Sequence, residues 1–205
     1  MKLKQVSYSE FIGESQEWIL DKLAFSDINL LIGENATGKN RCLNIINNLA
    51  RLVSDYRKQL FSSSCFYAVF ESDNDEVRYI LDIKNSKVLN ESFVKNEEYL
   101  MTRGQGDVGE IFTEEIGKKM NFQTPEASFA AVARQDKIQH GFLQCLPAWG
   151  SKVIHYAFGS PMGQDHYMLA EKNSNYKFDP RETYNVISVF IKDKEMLGKP
   201  YKALH

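Results

Sequence analysis

The amino-acid sequence predicts a mixed α/β (α+β) fold, and three observations carry that prediction. An apolar run, Ile28-Asn29-Leu30-Leu31-Ile32, leads straight into a loop bracketed by Gly33 and Gly38, and a helix-periodic segment follows. Two strand-like segments precede the run. A series of short strand patterns comes after the helix. Together they describe a P-loop NTPase lobe with an N-terminal β-hairpin, a P-loop helix and an antiparallel β-meander.

The first elements are strands over residues 3–11 and 18–25, separated by the loop Ile12-Gly13-Glu14-Ser15. The apolar run 28–32 is short and reads as a buried strand. From Arg41 onward, Leu43, Ile46, Leu49, Ala50 and Val53 recur at helical spacing, while Asn44, Asn47, Asn48 and Arg51 fall on other faces, so a helix is expected to about Leu60. Strands follow over 65–71, 77–83, 87–94 and 97–102. Ser72-Asp73-Asn74-Asp75 and Asn85-Ser86 are turn-forming spacers between them, which makes a meander the expected product. Residues 104–125 are polar and glycine-spaced, with a short helix expected at 113–120 that Gly117 weakens. Residues 127–133 fit a buried strand or short helix, and 138–149 carry helical spacing until Pro147. Residues 152–158 and the β-branched run 183–191 read as further strands.

The loop carries the chemistry. Gly33-Glu34-Asn35-Ala36-Thr37-Gly38-Lys39-Asn40 fits the phosphate-cradling pattern at every defining position but the last. Two glycines let successive backbone N–H groups turn inward around nucleotide phosphates, and the lysine ammonium reaches the outer ones. A following helix adds its N-terminal amides and dipole, which brings Arg41 into the set. Asn40 stands where a Ser or Thr hydroxyl normally ligates Mg²⁺; it offers an amide oxygen on a longer arm. ATP with Mg²⁺ is the ligand expected, with Asn40 as the candidate metal contact.

Composition sets bounds on the rest. With 205 residues, 43 % hydrophobic and 25 % charged, the chain reads as one soluble globular domain. No stretch approaches the ~20 apolar residues that cross a bilayer. The N-terminus lacks a secretory signal, so a cytoplasmic location is expected. Cys42, Cys65 and Cys145 lack metal or disulfide spacing, and His140, His155, His166 and His205 share no helical spacing. A formal net charge of −2 gives no overall attraction to nucleic acid.

Other motifs are weaker. Gly104-Gln105-Gly106-Asp107-Val108-Gly109 spells a dinucleotide fingerprint without the βαβ setting it needs, and reads as a hairpin connection. A Walker B strand, which ends in Asp-Glu and holds the metal, is approximated at Tyr79-Ile80-Leu81-Asp82 and Ser188-Val189-Phe190-Ile191, and neither ends so. Both read as ordinary strands.

The block from Ile28 to Asn44, with the hairpin ahead of it, resembles the P-loop region of bacterial AAA-family ATPases with an ABC/SMC/RecF-type head, including ATPases of Septu-like anti-phage modules. The resemblance implies the N-terminal portion of a longer head that dimerises or oligomerises through its nucleotide face and drives an effector, often a nuclease. The family's phosphate-binding role falls on Gly33, Asn35, Gly38 and Lys39, and its metal-ligand role on Asn40. A loop glutamine that senses metal and water in such enzymes has candidates in Gln123, Gln135 and Gln139, with Gln139 favoured by its polar setting. No LSGGQ-like signature is present. Two other functions compete: a degenerate, non-hydrolysing interaction module, suggested by Asn40, and a small P-loop kinase, suggested by size and opposed by the hairpin.

Overall fold

The computed structural model describes residues 1–34, 37–54, 61–72 and 75–155. The chain divides into two compact units, Met1–Lys152 and Val153–His205. All elements below belong to the first; the run 183–191, the second Walker B candidate, His166 and His205 lie outside the described residues.

The fold class is corrected: the unit is built on an antiparallel β-sheet, not on an α/β P-loop NTPase lobe. Its strands are β1 (Lys2–Glu10), β2 (Trp18–Ala24), β3 (Ser63–Ser72), β4 (Asp75–Lys84), β5 (Lys87–Lys95), β6 (Glu98–Arg103), β7 (Val108–Thr113) and β8 (Lys118–Gln123). They form one eight-stranded sheet in the order β2-β1-β3-β4-β5-β6-β7-β8. Every adjacent pair is antiparallel. Loop length explains this. A parallel crossover needs about a dozen residues, and from β3 onward each connection is far shorter. Helix α1 (Lys39–Val53) lies on the one long connection, between β2 and β3, yet it too delivers β3 antiparallel to β1.

The decisive departure is the run 28–32, expected as a buried strand. It joins no strand, and Ile28, Leu30 and Ile32 are 91 %, 81 % and 84 % exposed. An apolar run becomes a strand only when a neighbour takes its backbone groups. Here the ladder ends at Phe25, whose N–H donates to Lys4 O at 2.8 Å. Residues 26–29 then turn, with Ser26 N–H donating to Asn29 Oδ1 at 2.9 Å.

The N-terminal hairpin and the meander form as local chemistry predicts. Asn85 and Ser86 both adopt positive φ, 52° and 57°, which matches the twist of a tight hairpin. Asn96 and Glu97 do the same between β5 and β6 at 48° and 70°. The glycine-rich segment 104–109 forms the β6–β7 connection at 104–107 and opens β7 with Val108 and Gly109. The helix expected at 113–120 is replaced by the β7–β8 hairpin, whose turn holds Gly117 at φ +67°. Tyr79-Ile80-Leu81-Asp82 sits inside β4, with Asp82 opposite Cys65 and Asn90.

One face of the sheet is the core. Cross-strand rows such as Val6, Ala68, Tyr79, Phe93, Met101 and Ile111 run through it, each at most 2 % exposed. Helix α1 runs to Val53, residues 55–60 of its expected extension lying outside the described residues, and it buries Ile45, Leu49, Ala50, Leu52 and Val53; Leu43, expected on that face, is 41 % exposed. The short helices α2 (Ala130–Ala133) and α3 (Cys145–Gly150), the latter preceded by a 3₁₀ turn at Gly141–Gln144, close the unit. Trp149 and Phe70 meet in a T-shaped arrangement with centroids 4.9 Å apart. Residues 152–155, expected to open a strand, are in no strand, and 156–158 lie outside the described residues.

A polar cluster interrupts this face. Glu91 and Arg103 face each other across β5 and β6 and are fully buried. The Glu91 carboxylate accepts from Ala130 N–H at 2.6 Å, Ala131 N–H at 2.8 Å and Tyr79 OH at 2.9 Å. Arg103 donates to the carbonyls of Ser128 (2.6 Å), Pro125 (3.0 Å) and Gly106 (3.2 Å). Burial pushes the Glu91 carboxyl upward, and its amide, hydroxyl and Arg103 neighbours pull it back.

Candidate functional site

The glycine-bracketed loop stands at the N-terminus of α1. Gly38 is the residue before the helix and holds φ +89°, a left-handed conformation that suits glycine. At Gly33 the backbone passes close to Thr37: a Cβ there would lie 2.8 Å from Thr37 Oγ1, a contact that rotation of the threonine side chain could relieve. Of the two glycines in the motif, Gly38 is the one whose conformation favours glycine. Asn35 and Ala36 lie outside the described residues.

The loop closes on Lys39. Its ammonium donates to Gly33 O at 2.6 Å and also to Glu34 O, with Thr37 Oγ1 at 3.3 Å. Thr37 Oγ1 donates to Glu34 O at 2.9 Å. Lys39 thus reaches back across the loop to its first glycine, placing a cation against the curve of the backbone. The first intrahelical bond is Cys42 N–H to Gly38 O at 3.0 Å, so the amides of Lys39, Asn40 and Arg41 precede the helical ladder. No side chain caps them and no acidic residue occupies the first turn. Free amides, a helix N-terminus and the Lys39 cation together suit an anion.

Arg41 is directed away from the loop, toward the hairpin. Its guanidinium lies over the Trp18 ring, 4.3 Å from the centroid, and pairs with the Glu10 carboxylate. Glu10 also accepts the Tyr8 hydroxyl at 2.6 Å. Glu10, Trp18 and Tyr8 were not among the residues singled out by sequence. Glu10 and Trp18 close the hairpin on either side of the loop 11–17, and their register is the signal that could have found them.

Asn40 is exposed on the first turn and supplies one neutral oxygen. Gln139 is elsewhere: its carbonyl accepts from Glu114 N–H at 2.9 Å beyond β7, and four strands separate β7 from β1 in the sheet. The Asp136 carboxylate accepts the amides of Ile138 and Gln139, both at 2.8 Å, which holds it below the usual carboxylate range. Gln135 Nε2 reaches Val53 O at 3.5 Å, the far end of α1. Gln123 ends β8. Among the described residues, no group of three or more His, Cys, Asp or Glu side chains could hold a metal ion. None of their helices is long and apolar enough to cross a membrane.

Burial pushes the Cys145 thiol up to about 11 and raises Cys65 as well. All three cysteines are free.

A scan against protein-family models, a search of curated proteins and a search of solved structures each find no match.

Proposed function

We propose that Gly33, Glu34, Asn35, Ala36, Thr37, Gly38, Lys39, Asn40 and Arg41 form an ATP-binding loop, and that the chain is the ATP-binding part of an ABC/SMC/RecF-like ATPase. In this reading, nucleotide binding is coupled to dimerisation or to an effector partner, a nuclease in the resembling defence modules. The observation that carries it is the loop itself: Gly38 in a conformation that favours glycine, Lys39 folded back onto Gly33 O, and three amides ahead of the helical ladder. Magnesium would arrive with the triphosphate, held by phosphate oxygens and water, with Asn40 as the protein's oxygen donor.

The test is calorimetric titration of ATP with Mg²⁺ into the wild type and Lys39→Ala. Hydrogen bonds to a charged group contribute about 1.5–3 kcal/mol, so the variant should bind roughly tenfold to a hundredfold more weakly. No binding by the wild type sinks the proposal.

A second reading rests on Asn40: a non-hydrolysing module that binds nucleotide, or only a partner, without turnover. Restoring a hydroxyl with Asn40→Ser discriminates. A large gain in ATPase rate counts against this module; no gain, with ATP still bound, supports it.

A further inference from the structure

We infer that Glu10 is a positioning residue for the phosphate-binding turn, acting through Arg41 and Trp18, so that the β1–β2 hairpin and the Gly38–Arg41 turn move as one piece. This rests on the ATP-binding reading above.

The geometry is a socket built from the hairpin. Glu10 and Trp18 are direct partners across β1 and β2. The two carboxylate oxygens of Glu10 are committed to different groups: Oε2 accepts the Tyr8 hydroxyl at 2.6 Å, and Oε1 receives the Arg41 guanidinium. Trp18 supplies the flat face under that guanidinium, and Tyr8 sits 6.1 Å from the Trp18 ring centroid at 52°. Glu10 is sheltered, its side chain 17 % exposed, whereas that of Arg41 is 44 % exposed. The carboxylate is therefore the fixed half of the pair and the arginine the half that docks onto it.

The docked element is the one that matters for phosphate. Arg41 lies two residues beyond Lys39, within the turn whose amides precede the helical ladder. Trp18 also backs the loop glycine, since a Cβ on Gly38 would lie 3.6 Å from the indole. The segment upstream gives no comparable support, because residues 28–34 join no strand and Ile28, Leu30 and Ile32 are exposed. Further along α1 the first buried anchor is Ile45. The socket thus fixes the direction of the Gly38–Arg41 turn, and preorganised amides bind anions better than amides that must be ordered first.

The sign of one substitution separates this role from simple electrostatics. Glu10 places a negative charge near a site meant for a triphosphate, so Coulomb repulsion alone predicts that Glu10→Gln tightens ATP binding. Positioning predicts the reverse. Glu10→Gln should weaken binding about fivefold to tenfold, the scale of one lost charge-assisted contact. Arg41→Lys keeps the charge but loses the planar face on Trp18, and should behave like Arg41→Ala.

The experiment combines calorimetry on these variants with fluorine NMR of 5-fluorotryptophan-labelled wild type, its two resonances assigned by Trp149→Phe. Expected are ATP binding that depends on Lys39, an ATP-induced shift of the Trp18 resonance with Trp149 unmoved, and weakened binding in Glu10→Gln and Arg41→Lys. Unchanged or tighter binding by folded Glu10→Gln overturns the inference while leaving the ATP reading intact; so does a Trp18 resonance that ATP does not move. If Glu10→Gln does not fold, as judged by its melting curve, the wild-type fluorine shift decides. If the wild type binds no ATP, the underlying reading fails and takes this role with it.

Discussion

At the scale of single residues, charge placement accounts for local order. Asp136 is the clearest case, because its carboxylate accepts two backbone amides, Ile138 and Gln139, while remaining open to solvent. Its pKa in the folded chain lies below the ordinary value of 3.8, so the contacts hold above that value and weaken as pH falls through the lower, folded one. Acidification into that range should release protection of the Ile138 and Gln139 amides in hydrogen exchange before the sheet core opens, and Asp136→Asn should release it at neutral pH. Simultaneous loss of core and turn protection would contradict that account. The glycine-bracketed loop was legible at this scale as a loop ahead of a helix. Gly33, Gly38 and Lys39 announce themselves by spacing, and the left-handed conformation found at Gly38 gives that glycine a steric reason. Glu10 was not legible, since a carboxylate at a strand end has many possible partners and only the folded chain selects Arg41.

Elements behave according to what they can pack against. The hairpin turns Asn85-Ser86 and Asn96-Glu97 act through their own backbone preferences, and the first of them could be read from sequence for that reason. Helix α1 was placed by its pattern, and Leu49, Ala50 and Val53 of that pattern are buried, but Ile45 and Leu52 join them and Leu43 is turned outward. Periodicity gives a stripe, but the neighbour decides which of two overlapping stripes is buried. That neighbour includes α3, where Gly150 presses against α1: a Cβ there would sit 2.4 Å from Ala50 O and 3.0 Å from Val53 Cγ2. Gly150→Ala sets two effects in opposition. Helix propensity would gain at most about 1 kcal/mol, and overpacking costs about 1–3 kcal/mol, so net destabilisation is expected. Chemical denaturation should show a lower midpoint; a raised midpoint would mean that the helices separate without cost.

Across the whole unit, the Glu91–Arg103 pair ties the sheet to the segment that follows it. Arg103 collects carbonyls from residues 106, 125 and 128, and Glu91 collects the amides of Ala130 and Ala131, so the chain after β8 is fastened over β5 and β6. The two charges are 3.9 Å apart, long for a hydrogen bond, and the carbonyl and amide contacts carry most of the satisfaction. Removing one partner strands the other in a dry setting. Glu91→Ala should therefore cost about 3–5 kcal/mol, measured as a lower urea midpoint with an unchanged slope. A cost under about 1 kcal/mol would show that water or rearrangement replaces the carboxylate.

What the sequence determined by itself is local. Short strand patterns marked the meander, the Asn85-Ser86 dipeptide placed one of its tight connections, and the paired strand patterns at the N-terminus placed the first hairpin. The Gly33–Lys39 spacing placed a helix start behind a curved loop. These features depend on φ, ψ preferences and contacts within a few residues, so the order of residues suffices. The fold class was decided by tertiary structure alone. Whether Ile28-Asn29-Leu30-Leu31-Ile32 is a buried strand depends on a partner strand to accept its amides, and no preference within those residues can supply one. The described chain leaves that run outside its sheet, closes an antiparallel sheet around other contacts, and joins Glu10 to Arg41 and Glu91 to Arg103 across separations that only folding can bridge.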